Sequence, residues 1–300
     1  MTEALITYFD DNKIEYKLHE PMKAHTTFKI GGAADMYIVV NSLEELKDVI
    51  AQLKAYGIPT MILGKGSNLL VSDEGIEGAV VELSGDFKEL SVEGYTITCG
   101  AGVTLSKLCT VALEHSLSGL EFAYGIPGSV GGAVYMNAGA YGGETKDVIK
   151  EVIFLDQNGE VVTYSGEQAQ FSYRHSIFKE NNGIILFAKY KLTKDHPASI
   201  KAKMDDFMDR RRTKQPLEFP SAGSVFKRPE GAYAGTLIEQ CGLKGKTVGG
   251  AQVSEKHAGF IINVGDATCD DVMNLVEIIQ KTVKAETGYT LERELIRTGR

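Results

Sequence analysis

Apolar residues recur at two different spacings along the chain, and each change of spacing marks a new element. Segment 36–40 is a short apolar run, which predicts a strand, and the apolar residues after Ser42 follow helical spacing. Ser42 and Glu45 have the spacing of a capping box, and Gly57 stands where such a helix should end. A strand over 60–63 completes a β-α-β unit.

The same reasoning predicts the other elements. Helices are expected over 105–115, 199–213 and 269–287, the last capped by Thr268 with Asp271. Strands are expected over 79–83, 95–98, 152–155, 161–164, 184–190, 257–264 and 289–297. Asn158-Gly159 favours a tight hairpin turn between two of them. A polar stretch ending in a proline predicts a domain boundary, which divides the chain into residues 1–195, with subdomains 1–75 and 76–195, and residues 196–300.

Composition narrows the classes of function. The chain has 300 residues, 43% of them hydrophobic, and a formal net charge of −8, which argues against a nucleic-acid-binding surface. The first residues lack the basic region and apolar run of a signal peptide, and no apolar run is long enough to span a membrane. We therefore expect a soluble protein of the cytoplasm. The four cysteines and the histidines lack metal-binding spacing, which predicts no metal site and buried reduced thiols, with a redox disulfide as the weaker alternative.

Two glycine-rich segments stand out. Segment 125–143 contains seven glycines in nineteen residues, which implies left-handed dihedral angles or a ligand lying on the main chain. Segment 64–68, GKGSN, follows a predicted strand as phosphate-binding loops do. It matches neither the dinucleotide fingerprint nor the Walker pattern, and by itself it could be a structural turn. Together the two segments favour a phosphorylated cofactor.

Other polar residues are candidates for chemistry. Ser224 lies in a turn of small residues followed by Lys227 and Arg228, with no nucleophile elbow. The two cations are either solvated or a local anion clamp, and Arg174 is either a surface arginine or a ligand group. Glu292 and Glu294 alternate, so a strand would place both carboxylates on one face.

Six motifs in order make the chain resemble a known family across almost its whole length. The sequence is similar to UDP-N-acetylenolpyruvoylglucosamine reductases in the motifs HTTFKIGG (25–32), GKGSNLLVSDEG (64–75), GIPGSVGGAVYMNAGAYGG (125–143), SYRHSIF (172–178), SAGSVFKRPEG (221–231) and LERE (291–294). The resemblance implies an α+β fold, namely the FAD-binding fold of vanillyl-alcohol oxidase, built of two α/β subdomains, plus a C-terminal α+β substrate-binding domain. It also implies non-covalent FAD, NADPH as hydride donor, and UDP-N-acetylglucosamine enolpyruvate as substrate.

The resemblance also assigns residues. Arg174 matches the arginine that stabilises the enolate, Ser224 the proton donor, and Glu294 the active-site glutamate, with Glu292 as second choice for that last role. The FAD should be held by Gly64, Lys65, Gly66, Ser67, Asn68, Leu69, Gly125, Ile126, Pro127, Gly128, Ser129, Gly131, Gly132 and Ala133. Lys227, Arg228 and His257 are expected to bind substrate.

Three further expectations follow from the resemblance. Segment 177–183 leaves no room for an extra tyrosine loop, so the chain is similar to the shorter subgroup, and we expect a monomer without nucleic-acid or membrane partners. Ile296 occupies a position where the family usually has an arginine, so either the strand bulges to bring in Arg297 or that flavin contact is lost. A flavin-dependent oxidase of the same fold and a non-catalytic nucleotide-sugar-binding protein remain the alternatives.

Overall fold

A computed structural model describes residues 3–300. Its α-helices over this range are α1 (Glu3–Asp11), α2 (Leu43–Ala55), α3 (Leu105–Glu114), α4 (Val130–Met136), α5 (Pro197–Lys214), α6 (Ala234–Gln240) and α7 (Cys269–Thr287). Its strands are β1 (Glu15–Pro21), β2 (Ala33–Val40), β3 (Thr60–Leu63), β4 (Leu69–Val71), β5 (Ile76–Leu83), β6 (Leu90–Glu93), β7 (Thr96–Gly100), β8 (Leu117–Ser118), β9 (Gly139–Ala140), β10 (Gly143–Glu144), β11 (Ile149–Leu155), β12 (Val161–Ser165), β13 (Ile184–Lys191), β14 (Thr193–Lys194), β15 (Ser221–Ser224), β16 (Thr247–Val248), β17 (Ala251–Val253), β18 (Phe260–Asn263) and β19 (Ile296–Thr298).

The described chain divides into two compact units, neither of which is continuous in sequence. The first unit comprises residues 3–17, 37–65 and 79–209, and the second comprises 18–36, 66–78 and 210–300. The two domains predicted from the sequence, residues 1–195 and 196–300, remain a prediction, because a compact unit in the structure need not be a domain that folds by itself.

The first unit is organised around an antiparallel sheet of five strands in the order β12-β11-β13-β7-β6. Alternate residues of its strands are buried, as in β13, because one face of the sheet packs on the core. The short helix α4 lies against β13 and β7. The unit also contains the parallel pair β3 and β5, which are aligned from Thr60 opposite Ala79 to Leu63 opposite Glu82.

The second unit pairs a four-stranded antiparallel sheet, in the order β15-β18-β17-β16, with the long helix α7. One face of α7 is apolar at helical spacing, and residues such as Val272, Ile279 and Val283 are fully buried there. The core of this unit also takes in Phe28, Ile30 and Leu70 from distant parts of the chain. Strand β19 pairs in parallel with β4.

Several helices confirm the sequence prediction together with their caps. The Ser42 hydroxyl accepts a hydrogen bond from the Glu45 amide at 3.2 Å, and α2 ends before Gly57, whose φ is +64°. The capping box of α7 is complete, because Thr268 and Asp271 each bond the other's amide at 3.0 Å.

Other predictions were wrong in detail. No helix was predicted in the glycine-rich segment 125–143, yet it contains α4. The last strand covers only Ile296–Thr298, and β18 begins at Phe260 rather than at residue 257. In the 156–160 turn, Gly159 has φ +81° and the Asp156 carboxylate accepts bonds from two later amides, so aspartate and glycine organise a longer hairpin loop.

The cysteines are free thiols in the structure. Cys99, Cys109 and Cys269 are buried and Cys241 is half-buried, and burial raises the pKa of the Cys99 thiol to about 12. Among residues 3–300, no three His, Cys, Asp or Glu side chains are grouped so that they could hold a metal ion. Within the same residues, every helix is too short or too polar to cross a bilayer.

The composition of the second unit yields a first prediction. A fragment of residues 196–300 lacks strand β4 and the buried side chains of Phe28, Ile30 and Leu70. We expect it to unfold without a cooperative transition, because removing each large core side chain costs about 2–5 kcal/mol. Thermal unfolding followed by far-UV circular dichroism checks this, with the full chain as control. A single sharp transition of the fragment would contradict it.

Candidate functional site

The glycine-rich segment of the first unit is a turn that leads into helix α4. Ser129 is the N-cap: it is 2% exposed, and its hydroxyl accepts a bond from the Gly132 amide at 3.3 Å. The Val130 and Gly131 amides donate to the carbonyls of Val103 and Ala101, at 2.8 and 2.9 Å. The start of the helix is therefore fixed by main-chain contacts with the β7–α3 turn.

The two glycine loops singled out in the sequence meet at one point in the first unit. A Cβ atom on Gly64 would lie 2.5 Å from the Ser129 hydroxyl oxygen, so only glycine allows this approach. In the second unit, Gly66 has φ +58°, and a Cβ there would lie 2.2 Å from the His25 carbonyl oxygen. Both glycines of the GKG turn are thus required by close packing.

The loop 64–68 also has unused donors. Lys65, Gly66 and Ser67 have no main-chain amide hydrogen bond to any other residue of the described chain. Successive unused amides on a glycine turn suit an anionic oxygen, and the pyrophosphate of a dinucleotide is such a group. This loop fits FAD on that observation, independently of the resemblance.

Arg174 lies at the tip of a tight turn in the first unit. Ser172 and His175 exchange main-chain hydrogen bonds of 3.1 Å in both directions, which leaves Tyr173 and Arg174 as the two central residues. Arg174 has φ +57°, a conformation that favours glycine. Its guanidinium lies 5.0 Å from the Tyr173 ring centre and donates to the Gly139 carbonyl at 3.4 Å. The arginine head is therefore placed beside the glycine-rich segment.

Ser224 ends strand β15 in the second unit. Gly223 before it has φ +76°, and the register against β18 shifts between Ser221 and Ser224. The following residue, Val225, is buried and donates its amide to the Gly259 carbonyl at 2.9 Å. The strand therefore buries Val225 and leaves the Ser224 hydroxyl exposed, with no hydrogen bond to the rest of residues 3–300.

Glu294 is brought next to this strand by a short two-stranded ladder. The Lys227 amide donates to the Glu292 carbonyl at 2.8 Å, and Phe226 bridges Arg293. The Glu294 and Leu295 amides then both donate to the Val225 carbonyl, at 2.8 and 3.2 Å. Two residues facing one is the pattern of a β-bulge. The second unit thus holds Ser224 and Glu294 on neighbouring segments.

This bulge is relevant to Ile296, which stands where the family usually has an arginine. After it, β19 runs in regular register with β4, Ile296 opposite Leu69 and Arg297 opposite Leu70. The Arg297 guanidinium donates to the Arg300 carbonyl at 2.9 Å and is exposed. A bulge is therefore present, but it lies before Ile296.

The three predicted substrate-binding residues have different surroundings within the second unit. The Lys227 ammonium is paired with the Glu292 carboxylate. The Arg228 guanidinium lies 4.0 Å from the ring centre of Tyr233, which is 60% exposed. Glu292, the alternative to Glu294, thus has a partner of its own, and Arg228 is the more exposed cation.

His257 is held in one tautomer by its neighbours. Its Nδ1 accepts a bond from the Gly259 amide at 3.1 Å, so a neutral ring carries its proton on Nε2. Gly235 and Gly259 leave room for the ring, because a Cβ on either would lie within 3.1 Å of its Cε1 atom. Burial lowers the pKa of His257 below its ordinary value of 6.5.

Comparison with known proteins identifies the family. A model of the UDP-N-acetylenolpyruvoylglucosamine reductase C-terminal domain matches residues 215–298, and a model of an FAD binding domain matches 34–165. A UDP-N-acetylenolpyruvoylglucosamine reductase from Caldanaerobacter subterraneus is 52% identical over 98% of both chains. The chain belongs to the UDP-N-acetylenolpyruvoylglucosamine reductase family. The identification made from the sequence motifs is confirmed.

Other members of the reductase family give the same result. The Clostridioides difficile reductase is 46% identical over 95% of this chain and 93% of its own. The crystal structure of the Thermus caldophilus reductase superposes with a TM-score of 0.82 at 37% identity, covering 95% of this chain and 98% of its own. A BBE-like protein of Physcomitrella patens, 14% identical with a TM-score of 0.51 over 96% of this chain and 61% of its own, shares the fold alone. The predicted α+β, vanillyl-alcohol-oxidase-type fold is confirmed.

Sequence reasoning missed some residues of this reductase site. Asn137 and Tyr233 were not singled out, although each touches a segment that carries a predicted site residue. Asn137 had one signal: asparagine readily takes the left-handed conformation that ends many helices. Nothing in the sequence pointed to Tyr233 as the platform for Arg228.

The contact between the two glycine loops of this reductase yields a second prediction. We expect Gly64→Ala to cost about 1–3 kcal/mol, because its new Cβ overpacks against Ser129. Ser129→Ala removes the N-cap of α4 and should cost about 1 kcal/mol. The double variant should lose less free energy of unfolding than the two single variants lose together, by at least about 1 kcal/mol, because Ser129→Ala removes the hydroxyl that clashes with the new Cβ. Urea unfolding of the four proteins measures this.

Gly128→Ala is the matched control for that cycle, since its Cβ would meet nothing closer than 3.4 Å. It should cost less than Gly64→Ala. Strict additivity of Gly64→Ala and Ser129→Ala would show that the two loops are not in contact.

His257 yields a third prediction. Its folded-state pKa is lowered, so below about pH 6.5 the unfolded chain binds a proton there that the folded chain does not. Stability should therefore fall as pH drops through 6.5, until the folded ring is protonated too. His257→Asn keeps an acceptor for the Gly259 amide and removes the titration. Between pH 7.5 and 5.5 the wild type should lose more free energy of unfolding than the variant; parallel pH profiles would contradict this.

Proposed function

We propose that the chain reduces UDP-N-acetylglucosamine enolpyruvate to UDP-N-acetylmuramate, with NADPH as reductant and FAD as bound cofactor. The observation that carries this is the identity of 52% with a reductase of that family over 98% of both chains. The second unit also holds the exposed Ser224 and Glu294 on neighbouring segments, which supports the proposed reaction on chemical grounds. The reaction belongs to the synthesis of cell-wall precursors.

The residues proposed to hold FAD are those of the two glycine loops, 64–69 and 125–133. The unused amides of Lys65, Gly66 and Ser67 are suited to the pyrophosphate. Ser129 and the glycines after it keep the second loop close to the first, as the contact with Gly64 requires. FAD held there would supply the hydride-transfer chemistry between NADPH and the C3 atom of the enolpyruvyl group.

Arg174 is proposed to stabilise the negative charge that hydride addition creates. That charge spreads from C2 of the substrate into its carboxylate, and a guanidinium can meet a carboxylate with two hydrogen bonds. A group that is already in place stabilises such a charge best, because it need not reorganise during the reaction. The positive φ of Arg174 supports this role, since backbone strain of this kind concentrates at functional sites.

Ser224 is proposed to supply the proton at C2. A serine hydroxyl is a weak acid, so it can serve only because the carbanion it meets is strongly basic. Its exposure and its lack of a hydrogen bond within residues 3–300 leave the hydroxyl proton available to a ligand. Glu294, held by the same ladder, is proposed to orient the substrate carboxylate, in preference to Glu292, because Glu294 is the residue that matches the active-site glutamate of the family.

Arg228 is proposed as the main cation for the substrate diphosphate. Its guanidinium is exposed and supported by the Tyr233 ring. Lys227 would join it only by exchanging Glu292 for phosphate. His257, fixed with a proton on Nε2, is proposed to donate to a substrate oxygen. We also propose that the enzyme acts as a monomer in the cytoplasm, which sedimentation of the purified protein and fractionation of cells would test.

The role of Ser224 gives the fourth prediction. Ser224→Ala should leave flavin reduction by NADPH within about twofold of the wild-type rate and slow oxidation of the reduced flavin by substrate by about 10²–10⁴-fold, since loss of a general acid has that effect. Stopped-flow absorbance near 450 nm, the flavin band, separates the two steps. Protein without that band after incubation with FAD would count against the proposed function as a whole.

Ser221→Ala is the control, because Ser221 lies at the other end of the same strand. It should change neither step appreciably. If Ser224→Ala reacts with substrate as fast as this control does, Ser224 is not the proton donor.

A further inference from the structure

Asn137 is a fully buried polar residue outside the set assigned above. It has 0% exposure and terminates helix α4 in the left-handed conformation, with φ 43° and ψ 55°. Asparagine is one of the few residues other than glycine that accept this conformation. The helix that begins at Ser129, beside the proposed cofactor residues, therefore ends at Asn137.

The side chain of Asn137 makes three hydrogen bonds to two other segments of the chain. Its amide nitrogen donates to the Ser172 carbonyl at 2.9 Å and to a Glu144 carboxylate oxygen at 3.1 Å. Its amide oxygen accepts from the Lys146 amide at 3.0 Å. Both amide protons and the oxygen are thus used, which is the complete pairing that a buried amide needs.

Ser172 is the residue that opens the Arg174 turn. Its carbonyl accepts from Asn137, and it also accepts the His175 amide that closes the turn. The carbonyl of Arg174 itself, in the same turn, also has a partner. It accepts a hydrogen bond from the Lys179 ammonium at 2.8 Å. Asn137 and Lys179 therefore fix the turn on either side of its tip.

A second contact ties the same turn to helix α4. The Ser176 hydroxyl, fully buried, donates to the Tyr135 carbonyl at 2.8 Å, and the Lys179 ammonium lies 5.4 Å from the Tyr135 ring centre. The residues that follow the tip are thus held against the last turn of α4. Of these contacts, the bond from Asn137 is the one that reaches the turn before Arg174.

We propose that Asn137 is a positioning residue for Arg174. By holding Ser172 it keeps the turn in the strained form that places the guanidinium beside Gly139. It acts through Arg174 and does not touch substrate or cofactor. This inference rests on the proposed role of Arg174 in enolate stabilisation, and the variants below separate the two.

The test is a double-mutant cycle on the two half-reactions. Asn137→Gly keeps the left-handed backbone and removes the side chain, and Arg174→Gly removes the guanidinium while tolerating the positive φ. Asn137→Gly should slow oxidation of the reduced flavin by substrate about 10- to 100-fold, the scale expected when a catalytic group shifts by about 1 Å. Flavin content and reduction by NADPH should change less than about threefold, because neither depends on stabilising the charge that Arg174 is proposed to meet.

The cycle distinguishes positioning from a general structural effect. In the Arg174→Gly background, Asn137→Gly should add less than about threefold, because groups that act as a unit are not additive. Independent, fully multiplicative effects would overturn the proposal, as would wild-type substrate reduction by Asn137→Gly when Arg174→Gly is slow. If Arg174→Gly itself reduces substrate at the wild-type rate, the role of Arg174 fails and the inference fails with it.

A control and a second variant make the result independent of folding. Asn182→Gly is the matched control, since Asn182 is an exposed asparagine of the same unit with φ +51°; it should leave both steps unchanged. Asn137→Asp keeps the shape and loses the donor to Ser172. Its defect in substrate reduction should shrink relative to the wild type as pH falls, because a protonated carboxyl can donate again. A defect that does not depend on pH would contradict the proposal.

Discussion

The first unit depends on the close approach of two backbones, residues 128–131 and residues 101–105. Three main-chain hydrogen bonds of 2.8–3.0 Å join them, from Val130 to Val103, from Gly131 to Ala101 and from Leu105 to Gly128. A Cβ on Gly131 would lie only 3.0 Å from the Ala101 Cβ, so a larger residue there would have to push the two backbones slightly apart. This contact sets where α4 begins, and thereby where Ser129 caps it and where its last turn meets the Arg174 loop.

That contact changes the role assigned to the glycines. The sequence suggested that their function was to let a ligand lie on the main chain, yet several of them face protein: Gly64 faces Ser129, Gly131 faces Ala101 and Gly143 faces the Phe122 ring, where a Cβ would lie 2.7 Å away. The same segment can still serve a cofactor, because packing by backbone leaves few side chains in the way. The glycines thus build the scaffold first, and the unused amides of 65–67 are the part that we propose binds an anion.

A structural feature can be predicted from the sequence when the residues that determine it lie close together in the chain. Helices α2 and α7 were predicted with their caps because Ser42 and Thr268 act on amides three residues away. The final strand was overestimated because alternation at Leu291 to Leu295 reports burial, while pairing depends on distant partners such as Val225 and Leu69. Family motifs named Arg174, Ser224 and Glu294, but the Lys227–Glu292 pair and the clamp by Asn137 join residues far apart and had no local signal.

The conformation of Arg174 makes the connection between stability and function concrete. A left-handed non-glycine residue costs about 1–2 kcal/mol relative to its ordinary conformation, and glycine at the tip of this turn would avoid that cost. The fold nevertheless holds an arginine there with bonds from Asn137 before the tip and Lys179 after it. Such an arrangement makes sense where the guanidinium must be in place before charge develops, because a relaxed arginine would have to be ordered during the reaction. The buried amide of Asn137 then serves catalysis through backbone geometry, and the energy of its three hydrogen bonds offsets the strain it maintains.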